Sequence, residues 1–307
     1  MGRIFSALTR RGPTLLALGV GLGLVWPWLA GLAQPAMPLA IFVIVLGTLL
    51  RVEFRSISAV LREPSVVLML PALAMVGCPF LVGIAARGAG LPQELTLALV
   101  LAVAAPPSSG TAAVARMLGL DGALALVATF AAMAIAPLSV PMLAALFGSV
   151  AVDPLALAWR LAVLIGGAEG IALLLRRHAA PLLARHGDAI DVLVLAALLV
   201  FALSTMAGMR ARIMSDPVTA LGYVALAFAV NLGLQALGAL LPGSVTRRAT
   251  AGLVLGNRNV GLVWSALGTA VTPQVALYFA ATQLPIYTLP RLLQAGLLRF
   301  RAHHFPR

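Results

Sequence analysis

The chain has 307 residues, of which 62% are hydrophobic and 10% charged, with a formal net charge of +12. A soluble domain carries about a quarter charged residues, so this composition excludes a soluble enzyme, and it equally excludes disorder, which needs the opposite balance. The 21 basic residues are all arginine, and in so apolar a chain they are a topology signal before they are a nucleic-acid footprint.

A bilayer core of about 30 Å takes roughly 20 apolar residues per helix. In chain order, such runs fall near 13–33, 36–51, 65–86, 94–117, 121–148, 154–176, 189–209, 217–241, 247–269 and 273–298. The first follows Arg3, Arg10 and Arg11 as a signal peptide would, but its run is long enough to span. Trp26 and Trp28 near its far end suit a membrane interface. The runs are apolar throughout and do not alternate, which excludes barrel strands. The expectation is an all-α integral membrane protein with ten transmembrane helices. Cys78, the single cysteine, lies in the third run and offers neither a disulfide framework nor a metal set.

The arginines orient the runs. With the N-terminus cytoplasmic, Arg3, Arg10, Arg11, Arg51, Arg55, Arg62, Arg116, Arg176, Arg177, Arg185, Arg247, Arg248, Arg299, Arg301 and Arg307 fall inside, against Arg87, Arg210 and Arg212 outside. The positive-inside rule then places both termini in the cytoplasm, in what reads as a bacterial inner membrane. His178, His186, His303 and His304 all fall in those basic segments. With no histidine in a span and no base near Ser108 and Ser109, an intramembrane enzyme is not expected.

Residues 1–150 and 151–307 show weak self-similarity. Arg62-Glu63-Pro64 opens the third run and Ser215-Asp216-Pro217 the eighth; Ala125-Leu126 matches Ala276-Leu277; Pro137 and Pro141 match Pro285 and Pro290. Five spans per half is an odd number, so the second half enters the membrane inverted, the plan of many secondary transporters. Two runs are interrupted at matching places: Ala105-Pro106-Pro107-Ser108-Ser109-Gly110-Thr111 in the fourth and Gly256-Asn257-Arg258-Asn259-Val260-Gly261 in the ninth. Gly110 plus 151 is Gly261. Broken backbone at membrane depth belongs where it is buried in protein or lines a cavity. The half-helix ends there attract ions, and Ser108, Ser109, Thr111, Asn257 and Asn259 add polar side chains. Arg258 is the one cation that topology does not explain.

At these residues the chain resembles the bile acid:sodium symporter family. LGTLLRVEFRSISAVLREPSVVL (46–68), APPSSGTAAVARMLGLDGALALVATFAAMAIAPLSVPML (105–143) and GLVLGNRNVGLVWSALG (252–268) are similar to its second-to-third, fourth-to-fifth and ninth helices, with Gly256 and Asn259 at the family's glycine and asparagine. The resemblance implies two inverted five-helix repeats arranged as panel plus core. Spans 1, 2, 6 and 7 form the panel, spans 3, 4, 5, 8, 9 and 10 the core, and broken helices four and nine cross in the core. It also implies carriage of a small organic anion, often with two sodium ions beside the crossing. Thr111 and Thr129 keep suitable oxygens at matching positions. Val254 stands where an acidic residue is common, Arg258 where a neutral ligand is, and Ala112 and Ala125 replace polar groups.

These departures weigh against sodium and lead to the expectation that the Arg258 guanidinium takes the ion's charge role and pairs a carboxylate or sulfonate. Glu169, the carboxylate deepest in a span, is the candidate proton carrier, with an ion pair to Arg176 as its structural alternative. Asn231 with Gln235, and Gln283 with Tyr287, are i, i+4 pairs that line a cavity or bond between helices. No cofactor is expected. The partners are a small organic anion and the lipid bilayer, not nucleic acid, and the oligomeric state is open. The alternatives are a sensor or binding subunit on a transporter fold, or an arsenite-type efflux carrier, for which a cysteine in the fourth span is wanting.

Overall fold

The computed structural model describes residues 12–50, 63–148 and 152–304. The arginines expected inside at 3, 10, 11, 51, 55, 62 and 307 lie outside the described residues, as does most of the 46–68 resemblance. The helices are α1 (Gly12–Val25), α2 (Pro27–Ala33), α3 (Met37–Leu50), α4 (Cys78–Gly88), α5 (Gln93–Ala104), α6 (Thr111–Met117), α7 (Gly122–Phe147) and α8 (Pro154–His178), then α9 (Ala180–Arg185), α10 (Gly187–Ser204), α11 (Met209–Ser215), α12 (Pro217–Ala239), α13 (Val245–Gly256), α14 (Val260–Leu267) and α15 (Pro273–His304). Among the described residues six runs are long and apolar enough to cross a membrane: Pro27–Leu50, Val67–Gly88, Gly122–Phe147, Pro154–His178, Gly187–Ser215 and Pro217–Ala239. α5 and Val260–Ala270 are shorter apolar helices.

The first two apolar runs divide differently from expectation. Backbone helicity breaks at Trp26 (φ −118°, ψ 80°), not at 33–36, where Gln34–Ala36 is a 3₁₀ turn. Pro27 is the cause, because its ring disfavours the α region for the residue before it. Gly19 meets Leu199 and Ala202, and Gly23 meets Met206, so α1 runs parallel to α10. Gly47 meets Ile190 and Val194, while Ile41 and Phe201 meet beside Gly261, so α3 runs antiparallel to α10. The chain therefore reverses between α1 and α3. Before α4, Ser65–Met69 and Leu73–Gly77 form wide helical turns around Pro71 and Pro79, whose missing N–H groups interrupt the ordinary ladder.

Three of the nine acidic residues are spent on starting helices. Asp121 caps α7, Asp153 caps α8 and Asp216 caps α12, each accepting backbone N–H bonds of the first turn. Hydrogen bonds from the Thr219 hydroxyl and N–H hold the Asp216 carboxyl below its ordinary value. Packing then sorts the helices. α10 packs on α1 and α3, and α4, α5, α7, α12, α13 and α15 form a second group; α8 packs as closely on α7 as on α3, and α14 also touches both. Small residues set the closest approach, between α12 and α13. A methyl on Gly238 would stand 2.4 Å from the Gly252 backbone, and one on Gly252 2.6 Å from the Gln235 carbonyl oxygen.

Candidate functional site

The two polar interruptions meet. α5 ends at Ala104 and α13 at Gly256, and α6 and α14 begin a few residues later. The segments between them cross as an antiparallel bridge with Pro107 opposite Arg258. The Ser108 N–H donates to the Asn257 carbonyl at 2.8 Å, and the Asn259 N–H to the Pro106 carbonyl at 2.7 Å. Pro107 sits between these bonds, where the bridge needs no donor from it, so the proline lacks nothing there. Pro106 accounts for the helix end: Ala105 before it is extended (φ −60°, ψ 137°), as pre-proline sterics favour. The two hydrogen bonds exchange under an offset of 151, since 106 pairs with 257 and 108 with 259.

Arg258 occupies the centre of this crossing. It is 4% exposed. Its Nε donates to the Leu255 carbonyl at 2.7 Å and its Nη1 to the Ala105 carbonyl at 3.3 Å. Those carbonyls lie at the C-terminal ends of α13 and α5, so one guanidinium serves both broken helices. Its Nη2 is buried without a partner. A cavity of about 20 Å³ beside it is lined by Arg258, Asn231, Gly256, Tyr278 and Thr282, among others; that is room for about one water.

The remaining predicted residues divide by place. Asn257 donates from Nδ2 to the Thr111 hydroxyl at 3.1 Å, tying the second break to the start of α6. The Asn259 carboxamide oxygen accepts from Leu262 N–H and caps α14. Asn231 donates to the Gly256 carbonyl at 2.8 Å, and Gln235 donates to Asn231 at 2.6 Å, so this pair braces the end of α13 from α12. Gly256 is needed for that approach, because a methyl there would lie 2.5 Å from the Gln235 side chain. The Ser109 hydroxyl accepts from Thr48 of α3 at 3.4 Å, while Ser108 contributes its backbone.

Three residues stand apart. The Thr129 hydroxyl donates to Ala125 of its own helix at 2.7 Å. Gln283 donates to Phe279 and Thr282 and, with Tyr287, lines an apolar cavity of about 320 Å³ between α1, α12 and α15. Glu169 is half-buried on α8, on neither of the broken helices. Arg176 donates to the Leu49 carbonyl at 2.9 Å.

Several polar residues of the site were not legible as such. Arg160 of α8 reaches the Ala266 and Leu267 carbonyls at 3.3 and 3.2 Å, capping the far end of α14. Thr250, fully buried, donates to Thr246 and accepts from the Asp121 N–H, which joins α13 to the start of α7. Only the position of Arg160 inside an apolar run hinted at such a role. A cavity of about 580 Å³ also opens at the arginine-poor end of the helices, between residues 34–38 and 207–212 on one side and 264–276 on the other.

Among the described residues the secondary structure is helical, several helices are apolar and long enough to cross a membrane, and two shorter ones end and cross at a buried arginine, the build of a helical membrane protein. The Sodium Bile acid symporter family matches over residues 38–176, a little under half of the chain. The matched region includes the first break and ends before the second. No curated protein matches the chain.

Proposed function

We propose that this protein is a secondary transporter that moves a small organic anion, a carboxylate or sulfonate, by alternating access between two inverted repeats. The observation that carries the reading is the crossing of the two breaks, with Arg258 bonded to the ends of both half-helices. The exchange of the 108–257 and 259–106 hydrogen bonds under the 151-residue offset supports the repeat. Each helix C-terminus carries roughly half a negative charge, so two of them call for about one cation. In this reading Arg258 supplies it covalently. Sodium, which the family's description implies, does not suit the residues here. The carbonyl oxygens at the crossing already accept from a guanidinium, Val254 is buried where an acid would be needed, and the Thr129 hydroxyl is turned to its own helix. Arg258 is also too enclosed to receive an organic anion directly, with space for about one water beside it.

The test is a proteoliposome uptake screen over organic anions, with sodium and pH gradients imposed separately. Saturable counterflow of an organic anion that sodium leaves unchanged is the expected result. Sodium-dependent uptake by the wild type refutes the role given to Arg258. Ligand binding with no flux of any anion refutes transport and leaves the binding-subunit alternative. Proton coupling through Glu169 predicts that Glu169→Gln flattens the pH dependence of flux, and an unchanged profile removes that role.

A further inference from the structure

Most of the arginines described are spent on helix ends. Arg87 donates to Leu146 of α7, Arg176 to Leu49 of α3, Arg210 to Val25 of α1 and Arg248 to Ala239 of α12. Arg160 serves α14 in the same way, and Arg258 serves α5 and α13. Each of these carbonyls lies in or beside the last turn of its helix, where acceptors have no intrahelical donor and the dipole is negative. Arg247 instead pairs with Glu63 at 2.7 Å. Arg177 and Arg185 do neither. Among the described residues, neither guanidinium makes a hydrogen bond or ion pair, and Asp188 and Asp191, the carboxylates nearest in the chain, take neither of them. Both arginines are exposed, as are His178 and His186 beside them.

These cations sit at one corner. α8 ends on Arg176-Arg177-His178, the six-residue α9 follows, and α10 departs from Gly187. His178 and Arg185 line the same open cleft of about 780 Å³, whose walls include Pro181 and Leu182. Leu182 is 58% exposed, and Leu173 and Leu174, about one turn back along α8, are exposed as well. α9 is too short to cross a bilayer. An exposed leucine among exposed cations suits the membrane interface, with the leucine toward acyl chains and the guanidinium groups at head-group level. The positive-inside rule assigns the arginine-rich end to the cytoplasmic leaflet, which carries the anionic lipid.

We propose that the α8–α9 corner binds an anionic phospholipid. Arg185 and His178 take the phosphodiester, Arg177 adds a second guanidinium, and an acyl chain lies along Leu182 and the exposed leucines of α8. A phosphodiester accepts charge-assisted, bidentate hydrogen bonds from a guanidinium that nothing else occupies, and an imidazole N–H adds another. A zwitterionic head group brings its own cation to a place that already holds two, so the lipid selected has no amine, as in phosphatidylglycerol. A free phosphate would meet the same cations and leave the leucines uncovered, so the lipid is the occupant assigned. The site lies away from the crossing and is independent of what the protein carries. Because α8 and α10 both pack on α3, a lipid held where the two are joined steadies that packing.

The test is native mass spectrometry of the purified full chain in neutral detergent, titrated with palmitoyl-oleoyl phosphatidylglycerol or with phosphatidylcholine of the same chains. The first equivalent of phosphatidylglycerol binds at least about tenfold more tightly than phosphatidylcholine, the worth of two guanidinium groups at a membrane surface. Arg185→Gln weakens it about fivefold and Arg177→Gln/Arg185→Gln about twentyfold, while phosphatidylcholine affinity changes less than about twofold. Arg177→Lys/Arg185→Lys keeps most of the preference, and Leu182→Ser weakens both lipids alike. The control is Arg116→Gln on α6, another exposed arginine at the same end without a partner among the described residues; it leaves phosphatidylglycerol affinity unchanged. Equal affinity for the two lipids overturns the proposal, as does an Arg177→Gln/Arg185→Gln variant that binds phosphatidylglycerol like the wild type. An Arg116→Gln loss as large as that of Arg185→Gln shows diffuse charge in place of a site and overturns it too. Displacement of phosphatidylglycerol by an equal concentration of inorganic phosphate assigns the corner to a soluble anion and refutes the lipid. Lipid-free melting temperatures stay at the wild-type value, since these side chains hold nothing in the fold; a clear drop for the double glutamine variant shows that the arginines are spent within the chain and also overturns the site.

Discussion

Arg258→Gln is the perturbation that most directly tests the charge balance at the crossing. In the wild type the guanidinium bonds the Leu255 and Ala105 carbonyls. Removing it leaves two buried acceptors at two helix C-termini, at about 1–3 kcal/mol each, of which the glutamine amide recovers one at most. The net loss expected is about 2–3 kcal/mol, after allowing for relief of the cost of burying a charge. The variant also leaves roughly one unit of uncompensated negative potential, which a small cation can fill. At a cation concentration of 100 times its Kd, binding returns about 2.7 kcal/mol, enough to cancel most of the loss. The assay is thermal unfolding of purified protein in sodium chloride against choline chloride. Wild type unfolds at the same temperature in both; Arg258→Gln is destabilised in choline and regains several degrees in sodium. A wild type stabilised by sodium, or a variant indifferent to both the mutation and the salt, refutes the reasoning.

Gly238→Leu places a side chain against the Gly252 backbone at 2.4 Å, and since backbone cannot rotate aside, it costs about 3 kcal/mol, the upper end of overpacking; Gly233→Ala on the same helix has open space and leaves thermal stability within about 0.5 kcal/mol. Thr250→Val leaves the Asp121 N–H without its hydroxyl acceptor and lowers unfolding stability by about 1–2 kcal/mol. Asp216→Ala removes a cap whose carboxyl pKa is lowered from 3.8 by Thr219. A depressed folded pKa stabilises above the unfolded value and loses that contribution as pH falls through the folded one. The melting-temperature gap between variant and wild type is therefore constant at neutral and mildly acidic pH and closes below the ordinary aspartate range.

Composition and arginine placement are enough to say that the chain belongs in a bilayer, because burying so much apolar sequence in a soluble fold of this charge is not feasible. The two helix breaks were also legible, since proline and glycine act on their own backbone whatever surrounds them. Pro27 acts just as locally, yet it sat within a run of unbroken hydropathy, and the break at Trp26 is visible only in the backbone angles. The sequence offered two roles for Arg258, cation substitute and anion receptor. Its contact with the Leu255 carbonyl is local, whereas the one with the Ala105 carbonyl joins residues far apart in sequence and depends on packing.

Equally, Gln283 and Glu169 are polar residues in apolar runs with nothing local to distinguish them from Asn231. Only tertiary structure sets Asn231 against Gly256 and leaves Gln283 in the lining of an apolar cavity. Arg212 shows the same division from the other side. Counting charges made it one of three arginines outside, a minor term in a topology argument. Its place in the lining of the 580 Å³ cavity depends on how α11 and α14 meet that cavity, which is a matter of three-dimensional packing that sequence periodicity does not encode.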